Sequence, residues 1–161
     1  MDMMLWVKRA VCMGTVAVFF GLLFRAAWVD FKTMRIPDRI NLALFVSGIL
    51  SVFAVPGPDV RERLLGMAVV SVPMLIVALL TPGGFGGGDI KLMACSGLFL
   101  GWEGNVLAAL VGVFAGGVCG LILLLTGKAG RKDAFPFGPF LCGGIVTAFV
   151  LLCRDGSYLI I

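Results

Sequence analysis

The sequence predicts an all-α, polytopic membrane protein: one bundle of about six transmembrane helices forming a single membrane-embedded domain over residues 1–161. Three observations carry this. Of 161 residues, 60% are hydrophobic and only 14% charged, against about 45 to 50% and about 25% in soluble domains. The mean hydropathy is +1.10. The apolar residues also come in runs of about 13 to 22, separated by short polar or glycine-rich breaks, as spanning helices require.

The first run extends from about Ala10 to Val29. Lys8 and Arg9 ahead of it resemble the start of a secretory signal peptide. Arg25, however, interrupts the region where a small-residue cleavage site would sit, so the segment reads as a retained span. Further runs lie at Ile40 to Val55, Leu64 to Leu80, Ile90 to Trp102, Val106 to Thr126 and Phe137 to Cys153. The breaks between them carry turn residues: Ile36-Pro37-Asp38, Pro56-Gly57-Pro58-Asp59, Thr81-Pro82-Gly83-Gly84, Trp102-Glu103-Gly104-Asn105, and Gly127 through Pro136. The fourth run rises only about 20 Å, short of a hydrocarbon core of about 30 Å. Asp89, at its start, is therefore expected below the membrane surface.

A net charge of +4 and a pI near 9.0 could suggest nucleic acid. The basic residues instead sit in twos and threes beside apolar runs, which makes them topology signals and the lipid bilayer the partner. With six spans, the loops after the first, third and fifth share a face. That face holds Asp30 and Asp89 with Lys32, Arg35, Arg39, Lys91, Lys128, Arg131 and Lys132, against Lys8, Arg9, Arg61, Arg63 and Arg154 opposite. The positive-inside rule then puts the two aspartates on the cytoplasmic side of the cell membrane.

The chain has no histidine, which removes Ser/His and Cys/His nucleophile pairs, histidine metal sites and imidazole acid/base chemistry. Cys12, Cys95, Cys119, Cys142 and Cys153 lack CxxC spacing and read as buried, inert thiols, neither a zinc site nor a disulfide framework.

Two acids remain. Asp89 ends the run Gly83-Gly84-Phe85-Gly86-Gly87-Gly88 and opens a helix. Alone it reads as an ordinary N-cap beside a loop that lets something approach the backbone closely. A phosphate cradle is set aside, because no GK[ST] follows and the Asp would repel an anion. Asp30, in Trp28-Val29-Asp30-Phe31-Lys32, alone reads as a boundary residue paired loosely with Lys32 or Arg35. Together, at helix ends on one membrane face, they read as a dyad, since acids within a bilayer are costly unless they function. Two close carboxylates do not both ionise; one keeps its proton while the other polarises a water for attack on a peptide carbonyl. That chemistry needs no histidine, metal or cofactor.

These residues resemble the type IV prepilin peptidases, including the archaeal preflagellin peptidases. Their signature Gly-x-Gly-Asp stands here as Gly86-Gly87-Gly88-Asp89, continued by Lys91-Leu92-Met93-Ala94. Asp30 followed by Ile36-Pro37-Asp38 is similar to the family's first catalytic aspartate and its Pro-Asn or Pro-Asp. Phe135-Pro136-Phe137-Gly138-Pro139-Phe140 resembles its Pro-Phe-Gly-Pro segment. The resemblance runs from the first span to the sixth and implies a membrane aspartic endopeptidase with Asp30 and Asp89 catalytic. Gly86, Gly88, Lys91, Pro136 and Gly138 would shape the site or bind substrate. On their own residues, Lys91 reads first as an interface anchor, and Pro136 and Gly138 first as helix starters. Phe135, Phe137 and Phe140 are expected in core or lipid contacts.

The implied substrate is a pilin-like precursor, cut between a short basic leader and a hydrophobic helix. Longer bifunctional members add a cysteine-rich segment and an N-methylation activity; without such a segment here, peptidase without methyltransferase is expected. Rival readings are a small proton- or cation-coupled transporter, or a non-catalytic subunit of a pilus or secretion machine. Lipoprotein signal peptidase also uses two membrane-boundary aspartates but lacks this glycine loop.

Overall fold

Helix α1 (Asp2–Thr33) gathers the first apolar run and its flanks into one long element. It ends where Met34 turns into a left-handed conformation, φ 52°, with its N–H donating to the Asp30 carbonyl at 2.7 Å. Pro37 then opens α2 (Asp38–Ala54), with Asp38 in the first turn, where the helix dipole favours an acid. Helix α3 (Val60–Leu80) starts from Asp59, whose N–H is taken up by the Glu62 carboxylate at 3.0 Å in a capping box. Helices α4 (Gly87–Leu125) and α5 (Gly138–Arg154) follow, so that the described residues of this computed structural model form five helices and no strand. The structure describes residues 2–81, 85–127 and 135–156.

Among the described residues, three helical segments are long and apolar enough to cross a membrane, Trp6–Thr33, Val60–Leu80 and Gly87–Leu125, with Gly138–Arg154 a shorter apolar helix. Large apolar side chains such as Phe24, Phe53, Leu80 and Phe114 are exposed around the outside, as they must be where lipid is the solvent. The chain is a multi-pass membrane protein.

The fourth and fifth predicted runs form two helical arms of α4 that meet at Gly101, and the residues of the expected break, Trp102 to Asn105, are themselves helical. The interruption falls one residue earlier, at Gly101, with φ 71° and ψ −177°. It is a reversal. Asn105 Nδ2 donates to the Met93 carbonyl at 3.0 Å, whereas twelve residues of straight helix would separate them by about 18 Å. The same amide donates to the Gly66 carbonyl at 2.8 Å, and its oxygen accepts from Ser96 Oγ at 2.7 Å. Helices α3 and α4 meet backbone to backbone; a Cβ on Gly97 would lie 2.2 Å from Gly66. Such small-residue contacts replace the hydrophobic drive that lipid does not supply.

Arg63, expected at the membrane surface, is instead buried at the end of the bundle where α2 stops and α4 reverses. Its guanidinium donates to the carbonyls of Val55 (3.1 Å), Pro58 (2.9 Å), Leu98 (3.0 Å) and Phe99 (3.3 Å) and to Ser51 Oγ (2.9 Å). A cation there satisfies the carbonyls that two helix ends leave open. Phe19 of α1 stacks on Phe99 of α4 at 3.9 Å, and Phe149 of α5 packs beside Phe99.

Candidate active site

Asp30 lies one turn before the end of α1 and is 4% exposed. Its expected pairing with Lys32 or Arg35 is absent; Lys32 sits over the Trp28 ring at 4.8 Å. Asp30 Oδ2 instead accepts the N–H of Gly138 at 2.9 Å. Gly138 is the first residue of α5, so the carboxylate takes one of the amides that every helix start leaves unpaired. Glycine lets the carboxylate sit this close, because a Cβ would stand 2.7 Å from Oδ2 and push it away. Pro139, lacking an N–H, completes the helix start. The Phe-Gly-Pro of the sequence is thus a seat for Asp30 as well as a helix start.

Asp89 is not the N-cap of α4. Gly86 is, and Asp89 lies in the first helical turn, its N–H bonded to the Gly86 carbonyl at 3.0 Å. The three glycines before it differ in what surrounds them. A Cβ on Gly86 would lie 3.1 Å from Asp89 Oδ2, and one on Gly88 would lie 3.0 Å from Ile36 Cβ; around Gly87 nothing stands within 4 Å. The spacing Gly-x-Gly-Asp therefore has a steric reason, two crowded positions flanking an open one. Gly83 and Gly84, the start of the glycine-rich run before Asp89, lie outside the described residues, as do Lys128, Arg131 and Lys132.

Asp89 is 8% exposed, and its Oδ1 has no hydrogen-bond partner among the described residues. Both aspartates line the same two cavities together with Met34 and Gly86. One, of about 720 Å³, is walled mainly by Phe85, Phe135, Phe137, Val113, Leu121 and Leu124, with Pro136 and the glycines of α4. The other, of about 450 Å³, is bordered by Arg35, Asp38 and Lys91. The acids sit where an apolar space meets a polar one.

Lys91 reaches across to Asp38 at 2.6 Å in a solvent-exposed ion pair. Phe135, Phe137 and Phe140 form an aromatic group, and Phe137 also packs on Phe85 at 5.8 Å. Two of these rings line the apolar cavity. Among the described residues no group of three or more His, Cys, Asp or Glu is placed to hold a metal ion.

The sequence reading missed Asn41 of α2, whose Nδ2 donates to the Gly88 carbonyl at 3.2 Å beside Asp89. It also missed Asn105, treated as part of a break. The available signal was a lone amide next to an apolar run, a costly placement inside a membrane.

A model of the type IV leader peptidase family matches residues 17–121, which include both aspartates. Among curated proteins, a prepilin leader peptidase/N-methyltransferase of Bacillus subtilis is 34% identical over 134 residues, covering 83% of this chain and 54% of that protein. Proteins of the same name are 30% identical in Burkholderia pseudomallei, over 84% of this chain and 47% of theirs, and in Legionella pneumophila, over 84% and 51%. The chain thus spans about half the length of the curated relatives it matches. No solved structure matches it. The chain belongs to the type IV leader peptidase family, whose members are aspartic-type peptidases.

Proposed function

We propose that this chain is a membrane aspartic endopeptidase that removes the short basic leader from pilin-like precursors, with Asp30 and Asp89 as the catalytic pair. One observation carries the proposal: two buried carboxylates from distant parts of the chain line the same two cavities, inside the segment matched by the family. One carboxylate takes a proton from the attacking water while the other, protonated, donates to the scissile carbonyl. No metal or cofactor enters this scheme. Gly86, Gly88 and Gly138 let backbone and carboxylates approach closely, Pro136 walls the apolar cavity, and Lys91 anchors the start of α4 to α2.

The substrate's apolar helix occupies the larger cavity and the adjoining bilayer, while its polar leader leaves through the smaller one. The reversal at Gly101 supports six spans, with α4 contributing two, and residues 1–161 then form one membrane-embedded domain. Removing buried Arg63 from the earlier comparison leaves seven basic residues on the aspartate face against four opposite. That supports an active site facing the cytoplasm from the inner membrane.

The test is co-expression with a pilin-like precursor, followed by mobility shift and N-terminal sequencing of the product. A product beginning at the junction of leader and apolar helix is expected. Precursors left intact across several candidates would overturn the proposal in favour of a transporter or a non-catalytic subunit.

A further inference from the structure

The seat of Asp30 is evident, since Gly138 holds it. The seat of Asp89 is less so, because its Oδ1 has no partner among the described residues and glycines precede it. Helix α2 supplies what is missing. Asp38 and Asn41, three residues apart, lie on one face of α2, and Gly88 and Lys91, three apart, on one face of α4. They pair in register: Asp38 with Lys91 at 2.6 Å at the surface, Asn41 Nδ2 with the Gly88 carbonyl at 3.2 Å in the interior. One turn further along α4, Cys95 Sγ reaches the backbone oxygen of Asn41 at 3.4 Å. On its other side Gly88 rests against Ile36.

The Asn41 bond is not needed to satisfy Gly88. In an α-helix the Gly88 carbonyl already accepts the amide four residues on, so Asn41 is a second donor to it. Nor does the side chain gain all it could from burial: Asn41 is 4% exposed and its Oδ1 has no hydrogen-bond partner among the described residues. A buried amide with an orphaned acceptor costs stability relative to an apolar side chain. The bond ties the first turn of α4, at the residue just before Asp89, to α2.

We propose that Asn41 is a positioning residue that sets the place of Asp89 through the Gly88 carbonyl. This rests on the peptidase reading above. Asn41 lines neither of the cavities that the two aspartates share; it acts through the backbone of Gly88.

The test uses the full chain in membranes, with a precursor that the wild type cleaves, and compares Asn41→Ala, Asn41→Asp and Asn41→Gln. The Asp variant keeps the shape but replaces the donor with an acceptor; the Gln variant keeps the amide. The Ala and Asp variants are expected to lose about tenfold or more in kcat, with KM changed by less than about threefold. The Ala variant should unfold at a temperature no lower than the wild type, having lost an orphaned acceptor, and Gln should recover part of the activity that Ala loses. Wild-type kcat in Asn41→Ala, a loss that only tracks the folded fraction, or equal activity of the Ala and Gln variants would overturn the assignment while leaving the peptidase reading intact. A wild type that cleaves no precursor would overturn the peptidase reading, and this one with it.

Discussion

The two ends of the bundle handle buried polar groups in opposite ways. At the end where α4 reverses, Arg63 makes at least five hydrogen bonds. Asn105 nearby uses both donors and its acceptor. At the other end, Asn41 and Asp89 each keep a buried oxygen without a hydrogen-bond partner among the described residues, beside cavities that both aspartates line. One end is saturated and serves folding. The other leaves buried polar atoms unpaired beside two acids, at a cost in stability, which is the pattern expected of the catalytic site proposed above.

The comparison breaks first at Gly138. A Gly138→Ala side chain would collide with the Asp30 carboxylate, so cleavage should fall about a hundredfold, at a stability cost of about 1 to 3 kcal/mol. Gly87→Ala, in open space, should stay within about twofold of wild type in the same assay. Equal losses at the two glycines would remove the steric account of the site. At the saturated end, Arg63→Met should cost about 3 kcal/mol in unfolding free energy, because several buried carbonyls lose their donor. The surviving folded protein should turn over at the wild-type rate. Asn105→Ala should follow the same pattern at about 2 kcal/mol. The smallest effect is expected at the exposed Lys91–Asp38 pair, where Lys91→Ala should cost less than about 1 kcal/mol and still less in high salt, read by thermal unfolding across ionic strengths.

Much of this was legible in the chain. Runs of apolar residues marked most of the helical stretches, and the motifs at Asp30, Gly86 to Asp89 and Pro136 named residues that the fold brings around shared cavities. Local pattern failed wherever meaning came from distance. Gly138 meets Asp30 across 108 positions and Asn41 meets Gly88 across 47, so a helix-starting Gly-Pro and a lone amide gave no sign of their partners. Arg63 looked like a surface charge because nothing near it in sequence reveals the carbonyls that converge on it from α2 and α4. At Gly101 the turn residues of the following four positions drew the break one residue too late, since the left-handed glycine alone makes the reversal. Asp89 read as an N-cap because the open Gly87 hides how early α4 begins.

The most direct measurement of the central claim is cleavage of a pilin-like precursor in membranes carrying wild type, Asp30→Asn or Asp89→Asn, with thermal unfolding read on the same preparations. The account predicts that both variants insert and fold while their cleavage falls about a thousandfold or more below wild type. Appreciable cleavage by either folded variant would contradict the assignment of Asp30 and Asp89 as a catalytic pair.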